Sequence, residues 1–205
     1  QAQIDAVFED IFPDAVKTGM VSSAALIGTI ADCIVQYALP NVVVDPVMVA
    51  TSGARLIAED ALSALKEQLF SHAVLVTPNI PEAEILSGTR ISGSRGMETA
   101  ARAIFECYGC AVLCKGGHST NDANDFLYSA QGGQWFTGER IANPNTHGTG
   151  CTLSSAIAAN LAKGCTLTEA VRQAKAYISA ALSARLNLGR GSGPLNHAFA
   201  IAGEY

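Results

Sequence analysis

Residues 41–45 read Asn-Val-Val-Val-Asp. Successive side chains of a strand point to opposite faces, so three adjacent valines make both faces apolar. Such a run suits a parallel strand buried on both sides, within a sheet that carries helices on each face. The rest of the chain fits that demand. Helical patterns are expected at 1–12, at 22–39 with Ser22 as N-cap, at 59–70, 81–86, 97–108 and 168–186. Strand patterns are expected at 14–18, 41–45, 73–76 and 111–115, and 126–129 with 134–137 reads as a hairpin around Gln-Gly-Gly. Alternation of this kind implies a mostly parallel sheet between two helical layers. No internal repeat or linker interrupts it, so residues 1–205 are expected to form one domain.

The segment 143–164, Asn-Pro-Asn-Thr-His-Gly-Thr-Gly-Cys followed by a small-residue helix, carries the strongest chemical signal. Leu153, Ile157 and Leu161 form an apolar stripe, and Gly164 supplies a stop. Thr146, Gly148 and Gly150 lead into the helix start, where unpaired N–H groups and the helix dipole favour an anion. Cys151 stands in the same field, which stabilises a thiolate. A capped helix with a semi-buried cysteine is the plainer reading of a Gly-x-Gly pair. Neither the Walker-A nor the Rossmann glycine spacing occurs.

With 49% hydrophobic and 15% charged residues, the chain has the composition of a folded domain. Its net charge of −5 and lack of a basic block argue against nucleic acid or an anionic membrane as the main partner. Mean hydropathy is +0.24, yet no apolar run reaches membrane-spanning length and no signal peptide is visible. The six cysteines, Cys33, Cys107, Cys110, Cys114, Cys151 and Cys165, make no zinc spacing. All but Cys151 read as reduced cysteines of a cytoplasmic protein.

Asn-Thr-His-Gly-Thr-Gly-Cys-Thr-Leu-Ser-Ser-Ala-Ile-Ala-Ala resembles the anion-hole segment of the ribokinase-like kinases. The terminal cysteine, where most relatives carry aspartate, is similar to the branch that phosphorylates hydroxymethylpyrimidine and its monophosphate in thiamin synthesis. Segments 45–53, 77–88, 113–118 and 186–197 resemble the same branch in the same order. The resemblance implies a ribokinase-like three-layer α/β/α sandwich, ATP and Mg2+ as cofactors, and a homodimer. The family's opening part, with its glycine-rich substrate loop and a strand pair over the site, has no match in these residues. The expectation is therefore a family domain whose opening segment is cut away or unrecorded.

Ligand groups in open α/β sheets gather at the carboxyl ends of strands. Four groups stand there: Gly19-Met20, Asp45-Pro46-Val47-Met48, Thr77-Pro78-Asn79 leading to Glu82, and Lys115-Gly116-Gly117. Asp45 ends an apolar strand, so it must meet a cation or a hydrogen-bonding group, or simply cap or salt-bridge nearby structure. Lys115 precedes two glycines that would let a nucleotide phosphate lie near the backbone. The resemblance implies that Asp45 and Glu82 hold magnesium, partly through water, and that Met20 and Val47 pack on the pyrimidine. It further implies that Lys115, Gly117, Thr146, Gly148 and Gly150 bind ATP. Glu84 reads as a solvated helix residue, His118 has no assigned role, and a Cys151–His147 nucleophile pair ranks low.

The mechanism expected is base catalysis by Cys151, with the N–H groups of Gly148, Thr149, Gly150 and Cys151 holding the developing charge and Lys115 steadying the phosphates. Rival readings are a pyridoxal kinase, a non-catalytic binding module, and a cysteine hydrolase using Cys151.

Overall fold

The computed structural model describes residues 1–49, 56–117, 123–186, 188–191 and 193–201. Six strands form one sheet, and their spatial order is their chain order. β1 (Val16–Thr18), β2 (Val42–Val44), β3 (Leu75–Val76) and β4 (Ala111–Cys114) are parallel neighbours. β5 (Asp125–Ser129) and β6 (Gly132–Phe136) continue the sheet as an antiparallel hairpin.

The valine run behaves as its pattern requires. Val42 and Val44 pack into a core with Val76, Val112 and Cys114, whereas Val43 joins Leu75, Ala111 and Leu113 on the opposite face. Right-handed crossovers between strands in sequential order place their helices on one side. The first core accordingly contains Ile27 and Ile34 of α2 (Ala24–Gln36), Leu62 of α3 (Glu59–Ala64), Leu86 of α4 (Ile80–Ser87) and Ile104 of α5 (Gly93–Tyr108). The second core is closed by α6 (Thr149–Ala162) and α7 (Leu167–Ser183), through Leu153, Ile157 and Leu161 and through Val171, Ala174 and Ile178. The expected three layers are present.

Several boundaries move. The first helix, α1, covers only Ala2–Phe8, where Tyr37 reaches back to donate to Asp5 at 2.8 Å. Ser23, not Ser22, caps α2, its hydroxyl accepting from the Leu26 N–H at 3.4 Å. The helix expected over 59–70 is α3, then a π-helical turn at Leu65–Leu69 and a 3-10 turn at Phe70–His72. That change of pitch lets Leu65, Leu69 and Phe70 all bury. No helix among the described residues is long and apolar enough to cross a membrane.

Candidate active site

Sheet register explains why residues far apart in the chain meet. Val44, Val76 and Cys114 all face the α2–α5 core. The residue after each, Asp45, Thr77 and Lys115, must therefore point to the opposite face, toward α6. Lys115 donates to Asp45 Oδ1 at 2.9 Å, and Thr77 Oγ1 donates to the same oxygen at 3.1 Å. Asp45 is 2% exposed, so its charge is stabilised by these donors rather than by water.

α6 closes the site. Its N-cap, Gly148, has φ +82°, a conformation that costs glycine little and L side chains much. Among the described residues no acceptor meets the N–H groups of Gly148, Gly150 and Cys151. The Thr149 N–H, expected to be free as well, instead donates to the Thr146 carbonyl at 3.3 Å, as does its hydroxyl at 3.0 Å. A Cβ on Gly150 would lie 3.3 Å from Lys115 Nζ, so the ammonium touches both Asp45 and the first turn of the helix. One of its three protons goes to Asp45, leaving two for a ligand.

Sequence reasoning missed Ser154. It is fully buried one turn into α6, and its hydroxyl lies 3.3 Å from Asp45 Oδ2, 3.1 Å from the Gly150 carbonyl and 3.0 Å from the Cys151 carbonyl. One proton is shared among three acceptors, tying the helix start to the end of β2. Asn145 was missed too. Its side chain accepts from the Gly193 N–H at 2.6 Å and donates to the Leu186 carbonyl at 3.2 Å, while Asn143 donates to the Leu182 carbonyl at 2.8 Å. These two amides fasten the approach to α6 onto the last turn of α7 and the segment after it. A serine in a small-residue helix and asparagines in a loop give no signal by type; only their spacing around the glycine turn could have marked them.

Glu82 completes a capping box on α4: its N–H donates to Asn79 Oδ1 at 2.9 Å and its Oε2 accepts from the Asn79 N–H at 2.9 Å. Its Oε1 accepts from the Met48 N–H at 3.2 Å, which pins the turn following Asp45. Burial pushes the Glu82 carboxyl above the usual glutamate range, against the opposing pull of Lys115 and the two backbone N–H groups. Glu84 is not a free surface residue. Its carboxylate accepts from the Ile91 N–H at 2.7 Å and faces Arg90 at 3.6 Å, fixing the α4–α5 connection.

Of the other expected site residues, Met20 is 62% exposed just past β1, and Val47 is half-buried past β2. Gly117 lies beyond Lys115, with the Arg140 guanidinium 3.5 Å from its carbonyl. Cys151 is exposed in the first turn of α6. A cavity of about 650 Å³ runs from it along the outer stripe of α6, past Thr152, Ser155 and Ala159 to Tyr177 and His197. It does not include Asp45 or Lys115, which stand on the sheet side of the same helix end. His147 makes no hydrogen bond to Cys151, and His118 lies outside the described residues.

As magnesium ligands the carboxylates have prior commitments. Both Glu82 oxygens and both Asp45 oxygens already accept, and among the described residues no cluster of three or more acidic, histidine or cysteine side chains could cage a metal. Direct coordination would cost these bonds, so the residues suit contact with an ion through water rather than as its own ligands.

The sequence profile of the family described as phosphomethylpyrimidine kinase matches residues 1–196. The chain belongs to the phosphomethylpyrimidine kinase family. Among its relatives is a thiamine biosynthesis bifunctional protein of Geobacter sulfurreducens, 52% identical over 97% of this chain and 41% of that protein. Another is a hydroxymethylpyrimidine/phosphomethylpyrimidine kinase of Rhizobium meliloti, 48% identical over 96% of this chain and 75% of that one. The chain thus spans less than half of the bifunctional relative and about three quarters of the other. In three dimensions it is similar to an ADP complex of Bacillus subtilis pyridoxal kinase, with a TM-score of 0.89 and 36% identity, covering 97% of this chain and 76% of that structure. The fold of this phosphomethylpyrimidine kinase family member is thus shared with a kinase named for another ring.

Proposed function

We propose that this chain carries out ATP-dependent phosphorylation of 4-amino-5-hydroxymethyl-2-methylpyrimidine and then of its monophosphate, within thiamin biosynthesis. The observation that carries the reading is the meeting of Lys115, Asp45 and the open N–H groups of α6 beside an exposed Cys151. A helix start beside a lysine that keeps two donors after pairing with Asp45 suits a phosphoryl group in transfer.

Cys151, as thiolate, takes the proton of the substrate hydroxymethyl group, and the alkoxide oxygen attacks the γ-phosphorus of ATP in line as its bond to the β-phosphate oxygen breaks. ADP departs, and the proton passes from sulfur to solvent. The N–H groups of Gly148, Gly150 and Cys151 hold charge on the transferring group; Thr149 N–H is committed to Thr146 and contributes by shaping the turn. Lys115 spans the leaving phosphate and Asp45. Gly117 and Thr146 border the nucleotide, and Met20 and Val47 pack on the pyrimidine. Asp45 and Glu82 would hold a magnesium ion through water, and the ion would supply charge neutralisation at the phosphates.

The second phosphorylation begins from a phosphate oxygen that is already a nucleophile and needs no base. Cys151→Ala should therefore lose about 10²–10⁴-fold in the first step and far less in the second. A coupled ADP-release assay with each acceptor measures this, and equal losses would remove Cys151 from the role of base.

A pyridoxal kinase is the second reading, favoured by the 0.89 TM-score to the Bacillus enzyme. The same assay with pyridoxal decides: turnover of pyridoxal alone moves the acceptor assignment while leaving the phosphate site unchanged.

A further inference from the structure

A second buried ion pair lies one residue away from Lys115 and takes no part in the mechanism above. Asp125, the first residue of β5, is 8% exposed at its side chain, and Lys175, midway along α7, is 13% exposed. Lys175 Nζ donates to Asp125 Oδ2 at 2.6 Å and to the Ala123 carbonyl at 2.5 Å. The other carboxylate oxygen accepts from the Gly116 N–H at 2.9 Å. Gly116 is pressed so close to this segment that a Cβ would stand 1.9 Å from the Asn124 carbonyl oxygen. Gly138 is joined to the same point, donating to Asn124 Oδ1 at 2.9 Å and accepting from the Ala123 N–H at 3.0 Å.

The Asp125 carboxylate, its charge neutralised from α7, thus ties the Gly116 backbone to the start of β5, and Asn124 and Ala123 tie Gly138 to the same segment. Replacing a buried ion pair by apolar residues is often neutral for stability, so stability alone is a weak reason for its presence. Its geometric effect is specific. Gly116 lies between Lys115, which touches the first turn of α6, and Gly117, whose carbonyl lies 3.5 Å from the Arg140 guanidinium. Holding the Gly116 N–H sets where both neighbours present their donors.

We propose that Lys175 and Asp125 are positioning residues for the polyphosphate of the nucleotide: Lys175 fixes Asp125, and Asp125 fixes the backbone that carries Lys115 and Gly117. The proposal rests on the kinase reading given above. It predicts that charge is dispensable while the acceptor for Gly116 is not.

Two double variants separate these roles. Lys175→Met with Asp125→Asn removes both charges and keeps an amide oxygen for Gly116; Lys175→Met with Asp125→Leu removes that acceptor as well. ATP affinity is measured by calorimetry without acceptor, and KM for ATP and for hydroxymethylpyrimidine by ADP release. The Asn pair should stay within about threefold of wild type in both ATP measurements. The Leu pair should weaken ATP tenfold or more, with KM for the pyrimidine changed by less than twofold.

Equal ATP constants for the two pairs would overturn the positioning role, as would a loss spread evenly over both substrates. Should the Leu pair fail to fold, Lys175→Met alone decides: a rise in the KM for ATP only supports the role, and a fall in kcat with both KM values unchanged refutes it. Wild-type protein that binds no ATP would refute the kinase reading itself, a result distinct from any of these.

Discussion

Asp45→Asn is the substitution that most directly tests how the site is held together. At 2.9 Å and an effective dielectric near 20, the attraction between Lys115 and Asp45 is about 6 kcal/mol before desolvation is counted. The carboxylate is 2% exposed and the lysine side chain 14%, so solvent screens the pair little. Removing one partner of such a pair costs about 3–5 kcal/mol, because the other charge stays buried and uncompensated. Asparagine keeps an oxygen for Thr77 or Lys115, which places Asp45→Asn near the low end, about 3 kcal/mol. Urea unfolding measures the change. Lys115→Met should cost a similar amount by stranding Asp45 with, among the described residues, only the Thr77 and Ser154 side chains as donors. The double variant should fall short of the sum by about 2 kcal/mol, the coupling between residues in direct contact. Additive losses, or an Asp45→Asn protein within about 0.5 kcal/mol of wild type, the scale of an unremarkable surface change, would refute the claim that one charge holds the other.

Two further outcomes follow from the environments of single groups. Glu82 has its carboxyl raised by burial, so its protonated form is favoured in the folded chain; the stability it contributes is full below the unfolded-state pKa and is lost as pH rises through the higher folded value. Urea midpoints taken across the mildly acidic range should show that decline in wild type and a flatter profile in Glu82→Gln, and identical profiles would place the titration elsewhere. Burial also pushes the Cys110 thiol up to about 11 and Cys114 to about 12, whereas Cys107 and Cys151 are exposed. Iodoacetamide mapping by mass spectrometry at neutral pH should therefore label Cys107 and Cys151 and spare the buried pair, with ATP and acceptor slowing only Cys151; equal protection of Cys107 would contradict the location of the site.

The layers were legible because the strands are short apolar runs ended by Pro, Gly or a charge, and the helices carry a 3.6-residue stripe. Asp45 and Lys115 were legible for the same reason, as charged residues directly after runs that bury. Thr77 stands among the strand-end groups for the same reason, but its residue type gives no sign that its hydroxyl donates to Asp45. Helix ends were less well read. Leu65–Leu69 has ordinary helix-forming composition, and its π-helical turn comes from packing that no local pattern records. Nothing in the sequence singles out Asp125 and Lys175, because charged residues usually lie at the surface. Only the fold reveals that they face each other across 50 positions. Sequential strand order was equally hidden, because an alternating pattern specifies a parallel sheet and not which strand neighbours which.

Sequential order has a consequence for when the site comes into being. β1 to β4 and α2 to α5 pair with elements close by in the chain, whereas Ser154 meets Asp45 across 109 positions. Loop-closure entropy delays contacts of such long range, so the sheet and its first helical layer condense early and the α6–α7 layer docks onto a finished platform. On a ribosome the strand ends bearing Asp45, Thr77 and Lys115 emerge well before the helix that completes them. The proposed site is thus assembled in the last docking step, and an excursion that lifts α6 off the sheet dismantles it while leaving the strand ladder intact.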